Sequence, residues 1–170
     1  LYEQIEPTVR VIEDGKVRTV VEALFGWHNS KLYQRYILPK NDTHMDVEIG
    51  VYWNENDTVL KLMIPSAMEQ GTYYGQVMFG REALAQEGQE VVAQRWNAWT
   101  DGEKTFTAVN GGSYGSSIED GVIGLTLLQT ANTGRRVSAI GHAVQVGLQV
   151  EITRRLVDLD RAIGTGQGPT

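Results

Sequence analysis

The 170-residue chain contains no cysteine. That excludes disulfides, thiolate metal sites and a cysteine nucleophile, and it favours a reducing cytoplasm. No stretch approaches the roughly 18 consecutive apolar residues of a membrane-spanning helix. No signal-peptide pattern is present. Basic residues are few and scattered: 15 Lys and Arg stand against 21 Asp and Glu, for a net charge of −6. No basic patch suits nucleic acid or an anionic membrane, whereas a neutral ligand is indifferent to this charge. Histidine is scarce too. His28, His44 and His142 are the three, and none lies at i+2 or i+4 from another. The chain opens on Leu1 rather than Met, which points to a piece of a longer protein.

What is present suits a globular domain. Apolar residues make up 41% and charged residues 21%, an ordinary balance. The length fits a single domain over residues 1–163, and the closing "GTGQGPT" at 164–170 reads as a flexible tail.

The dominant hydrophobic period is two. In residues 17–25, positions 17, 19, 21, 23 and 25 share a face, and Asp14-Gly15 before them marks a hairpin turn after Val9 and Val11. Residues 31–38 read as a strand ended by Pro39. Residues 44–53 alternate, with Met45, Val47, Ile49 and Val51 on one side. Asn54-Glu-Asn-Asp57 is a turn cluster, and 58–64 is β-branched and apolar. The pair 44–53 and 58–64 predicts an antiparallel hairpin. Further strands are predicted at 76–79, 91–99, 105–109 and 122–128. The most regular is 143–152, where Val144, Val146, Leu148, Val150 and Ile152 face one way and polar residues the other. A short helix fits the Ala, Leu, Glu and Gln of 81–89, and 153–163 suits helix or strand. Many short strands with turn signals predict an all-β antiparallel sandwich with few short helices.

Chemistry-bearing patterns are sparse. His44-Met45-Asp46 puts an imidazole and a carboxylate on one strand face, a start for a metal site, but a solvated strand edge explains it better. No G-x-S-x-G elbow occurs, and Ser113 and Ser116 read as turn serines. The carboxylates Glu55, Asp57, Glu119 and Asp120 all sit in turn contexts, where such residues usually cap. The N-x-T sequons at Asn41 and Asn56 also fall in turns. Trp27, Trp96, Trp99 and Tyr114 have faces that stack on sugar C–H surfaces. Residues three apart on a strand point to opposite faces, so Trp96 and Trp99 make no common platform and packing is the commoner role.

The segment "AVNGGSYGSS" is glycine-dense. Asn110, Gly111, Gly112, Tyr114 and Gly115 form its motif. It lacks G-x-G-x-x-G spacing, a lysine and a following helix, so it is not a phosphate cradle. It reads as a strand end with positive-φ backbone, with Tyr114 covering the core edge.

Five segments in order resemble the C-terminal β-sandwich region of glycoside hydrolase family 38, the α-mannosidases. These are "VIEDGKVRTVVEALF", "HMDVEIGVYWNENDTVLKLMIPS", "GQVMFGRE", "VVAQRWNAWTDGEKTFTAVNGGSYGSSIEDGVIGLTLLQT" and "GHAVQVGLQV". Departures occur at Lys16, where the family favours Pro, at Gly111 in place of Asp, and at Gln129-Thr130 in place of Arg-Ser. The segment between Thr130 and Gly141 is shorter than in the family. The resemblance implies a portion of a galactose-mutarotase-like supersandwich. It implies a parent enzyme that hydrolyses α-mannosides, whose preceding catalytic domain holds zinc and the nucleophile. No catalytic or metal residue carries over onto this chain, so the segment alone is expected to be an inactive scaffold with no cofactor of its own. The expected partners are that N-terminal domain and carbohydrate, and a homo-oligomer is allowed. Two other readings stand beside it: a free-standing carbohydrate-binding module with Trp96, Trp99 and Tyr114 as contacts, and a domain-docking interaction module.

Overall fold

The structure, a computed structural model, describes residues 8–111 and 113–130 in full and residues 142–153 as backbone. In chain order the strands are β1 (Val9–Asp14), β2 (Arg18–Trp27), β3 (Ser30–Pro39), β4 (His44–Trp53), β5 (Val59–Pro65), β6 (Thr72–Val77) and β7 (Gly80–Ala83). They continue with β8 (Val91–Val92), β9 (Trp96–Thr100), β10 (Thr105–Asn110), β11 (Gly115–Glu119), β12 (Val122–Gln129) and β13 (His142–Thr153). Among the described residues there is no helix. The fold is all-β and antiparallel, a β-sandwich. The described residues fall into two units, 8–60 with 128–130 and 142–149, and 61–127 with 150–153.

The first unit is a meander in the order β1-β2-β3-β4, with the first part of β13 beside β4. Its β2–β3 ladder runs unbroken from Arg18↔Pro39 to Trp27↔Ser30. The predicted apolar face of β4 is real: Val47, Ile49 and Val51 are buried, and Trp53 extends the same row. Strand β2 is less simple. Val20 and Ala23 are both buried although they point to opposite faces, and Glu22 is buried among them. Backbone confirms a strand over 143–152, but its side-chain faces lie outside the described residues.

The second unit holds two sheets. One has the order β10-β9-β6-β7, and the other combines the greater part of β5 with β12, β11 and β8 in the order β5-β12-β11-β8. Tyr73, Ala98, Phe106, Ala108, Ile118, Ile123 and Leu125 fill its core. Each large apolar side chain so buried contributes about 1.5–3 kcal/mol. Strand β9 is buried along its whole length, and the amide of Asn97, its second residue, donates to Ser116 Oγ of β11 at 3.0 Å. A buried amide without that partner would be costly.

Four expectations need correction. The β4–β5 hairpin does not form: β4 pairs with β3, and β5 lies beside β12. The cause is local. Glu55 accepts hydrogen bonds from Asn29 N (3.0 Å) and Ser30 Oγ (2.9 Å), and Asn54 N donates to Ser30 Oγ. These bonds draw the chain onto the β2–β3 turn, and Thr130 N then takes Thr58 O at 3.0 Å. The predicted strand 91–99 is two strands in different sheets. Between them Ala93 N donates to Tyr114 O and Gln94 N to Gln76 O, so the chain changes partners. The predicted helix at 81–89 is absent. Residues Gly80–Ala83 pair with β6, and Leu84 N donates to Tyr73 O, so tertiary pairing overrides helix propensity. Finally, Ser116, expected in a turn, lies within a strand, β11. The alternatives for 153–163 and the tail at 164–170 lie outside the described residues beyond Thr153.

Candidate functional site

The glycine-dense segment is the crossover from β10 to β11, between the two sheets of the second unit. Asn110 is buried and its N–H donates to Arg95 O. Ser113 Oγ donates to Thr126 O. Tyr114 is 57% exposed, and its carbonyl accepts from Ala93 N. Gly112 lies outside the described residues. Gly115 does not sit at positive φ. Its constraint is space: an added Cβ would stand 2.9 Å from Glu90 Oε1 and 3.2 Å from Thr126 Cβ. The positive-φ pair comes later, at Asp120 (48°) and Gly121 (72°), the two residues that close the β11–β12 hairpin. That is the usual chemistry of a two-residue Asp-Gly turn.

Gly115 opens onto a small polar cluster. Lys61 of β5 reaches both Glu90 Oε2 and Ser117 Oγ of β11. Thr126 Oγ1 donates to Glu90 Oε1 at 2.5 Å. Burial raises the Glu90 pKa, but the bonds from Lys61 and Thr126 outweigh it and hold the carboxyl below its ordinary range. Beneath, Ser116 is fully buried in a strand rather than a turn, next to Tyr73. Burial, partly opposed by the Ser116 hydroxyl, pushes the Tyr73 phenol up to about 12. A carboxylate neutralised by an ammonium and capped by a hydroxyl is arranged to hold strands together, not to move a proton. The sequence reading missed Lys61 and Glu90. A lysine inside the apolar run 58–64 was the available signal.

The aromatic candidates separate. Trp96 and Trp99 are 2% and 4% exposed, so both are core. Trp99 Nε1 donates to Met68 O at 3.1 Å. Trp27, in the first unit, is 39% exposed and stacks on buried Trp53, with ring centroids 5.4 Å apart. His28 stands edge-on to Trp27 at 4.5 Å. Trp53 Nε1 is buried with no hydrogen-bond partner among the described residues.

The remaining candidates are placed as follows. His44 Nδ1 lies 2.9 Å from Asp42 Oδ1, and its Nε2 lies 3.9 Å from Asp46 Oδ2. Among the described residues no three His, Asp or Glu side chains are grouped to hold a metal. Glu55 is taken up by Ser30 and the Asn29 backbone. Asp57 and Asp120 occupy positive-φ turns, and Glu119 ends β11. Asn41 lies between β3 and β4, and Asn56 between β4 and β5. His142 lies on β13, whose side chains are outside the described set.

Comparison with known proteins bears on this arrangement. The model of the glycosyl hydrolases family 38 C-terminal domain matches residues 1–133. Alpha-mannosidase G of Dictyostelium discoideum is 25% identical over 139 residues, which cover 74% of this chain and 13% of that protein. Among solved structures, an alpha-mannosidase from Enterococcus faecalis V583 superposes with a TM-score of 0.77 at 10% identity, over 92% of this chain and 23% of that one. A family 38 protein from Enterococcus faecalis superposes at 0.78, also at 10% identity, over 92% of this chain and 24% of its own. The chain thus spans a quarter or less of each of these relatives. With most of its length matched by the family model and its strands laid out as in these structures, the chain belongs to glycoside hydrolase family 38, as a C-terminal domain.

Proposed function

We propose that this chain is the non-catalytic scaffold of a polypeptide that hydrolyses α-mannosides. Family membership over residues 1–133 carries the reading. The state of the carboxylates supports it: Glu22 is held by Arg10 and Arg35, Glu55 by Ser30, and Glu90 by Lys61. A glycosidase centre needs a pair of carboxylates facing a substrate, and these three are each spent on strand-to-strand or turn contacts. In this reading zinc and the nucleophile belong to another domain of the parent chain, and the cysteine-free composition suits a cytoplasmic enzyme. The test is turnover of an aryl α-mannoside with zinc supplied. The parent polypeptide should be active and the 170-residue chain inactive. Turnover by the 170 residues alone would overturn the scaffold role, and an inactive parent would overturn the substrate assignment.

One observation favours a second reading, sugar binding: the half-exposed Trp27 ring backed by Trp53. A sugar stacked there would alter tryptophan fluorescence saturably, and Trp27→Ala would abolish the response. A flat titration with mannose and its oligomers removes this reading.

A further inference from the structure

The β6–β7 hairpin closes through only two residues, Met78 and Phe79, between the paired Val77 and Gly80. Met78 is 75% exposed and Phe79 is 103% exposed, the most exposed large apolar side chain described. The same phenylalanine has φ 66°. The second central position of such a turn ordinarily takes glycine or asparagine, and a bulky residue there is a genuine outlier. Gly80 beside it has open space at its Cβ position. A bare phenyl ring and a strained backbone thus coincide at one protruding residue. Strain of this kind persists at clamps and switch regions.

The chain spans 13% of the Dictyostelium protein and 23–24% of the solved ones, so most of each relative lies outside the matched region. A two-residue finger cannot bury the roughly 1,200 Å² that a stable free-standing complex needs. A partner tethered in the same polypeptide needs far less, because the linkage supplies a high effective concentration. We propose that the Met78-Phe79 tip is an anchor that inserts into an apolar pocket on the part of the parent polypeptide preceding Leu1. This rests on reading the chain as one domain of a longer family 38 protein.

The test places p-benzoylphenylalanine at position 79 of the full-length polypeptide, followed by irradiation and peptide mapping by mass spectrometry. The expected product is an intramolecular cross-link to residues before Leu1. A cross-link between two copies, one to residues 131–141 or 154–170, or no cross-link at all overturns the proposal. A second measurement is the rate at which limited proteolysis separates the domains. Phe79→Gly relieves the strain, yet it should speed separation severalfold, as should Phe79→Asp, while Phe79→Leu restores the slow rate. If Phe79→Gly leaves the rate unchanged or lowers it, the anchor is wrong. Neither readout uses turnover. An inactive polypeptide that still cross-links removes the mannosidase reading and keeps the anchor, and an active one that does not cross-link does the reverse.

Discussion

Single glycines in this domain are fixed by different physical demands, and substitution should rank them. At Gly115 a valine meets the Glu90 carboxylate and Thr126, both side chains that can shift. Overpacking of this kind costs about 1–3 kcal/mol, and each kcal/mol lowers the melting temperature by roughly 2–4 °C at this size. At Gly121 an added Cβ would stand 2.1 Å from Met68 O, a backbone atom, in a residue already at φ 72°. That carbonyl is held by Trp99 Nε1, and Ser66 Oγ ties the same loop to Gly121 O at 2.7 Å. Gly121→Ala should therefore destabilise more than Gly115→Val in thermal melts, despite the smaller side chain. The reverse order would show that the 66–68 loop yields easily. Glu90 offers a second test at this scale. With Lys61→Met, burial, already the largest single influence on the carboxyl, is opposed only by the Thr126 bond. Its pKa should rise above the ordinary 4.5, as read by carboxyl NMR. A value that stays low would mean water, not Lys61, solvates it. None of this was legible in "NGGSYGSS": glycine announces that a side chain is unwelcome, and only coordinates tell whether the reason is φ or space.

Among the elements, the β1-β2-β3 ladder is joined by Glu22. Its carboxylate takes Arg10 of β1 at 2.6 Å and Arg35 of β3 at 2.9 Å. The Arg10 bond, then the Arg35 bond, hold its pKa below 4.5. A carboxyl whose folded pKa is depressed gives stability that is complete above the unfolded value and is lost as pH falls through the folded one. Acid unfolding should thus draw on Glu22 below about pH 4.5, its ordinary value. Glu22→Gln should cost about 1–3 kcal/mol at pH 7 and flatten the stability profile in that acid range. Equal acid sensitivity in denaturant melts of both proteins would exclude this role. Next to it, Tyr33 of β3 lies over Gly50 of β4, where an added Cβ would come within 2.0 Å of the ring. Arg35 stacks on the same ring at 4.8 Å. Gly50→Ala should displace the ring, lowering thermal stability and shifting the tyrosine near-UV signal. The strands themselves were legible because alternation records which residues face a core. Pairing was not. The run 58–64 carries the same apolar pattern whether it lies beside β4 or beside β12, and Glu55 with Ser30 decides the matter from outside both strands.

For the whole chain, the family match over residues 1–133 sets the test of the proposed role. On the proposed reading, removing residues 1–133 from the parent polypeptide should abolish soluble mannosidase activity, although no catalytic residue is assigned to this segment. Retained activity in the truncated protein would reduce the domain to an appendage. The sequence by itself determined the β class, most strand positions and the family, because hydrophobic period and the order of motifs are local properties that survive at low identity. Tertiary structure alone decided which strands pair, which tryptophans are core, what holds the Glu90 carboxylate and how far Phe79 is exposed. Those outcomes depend on contacts between residues far apart in the chain, where a short-range pattern carries no information about the partner.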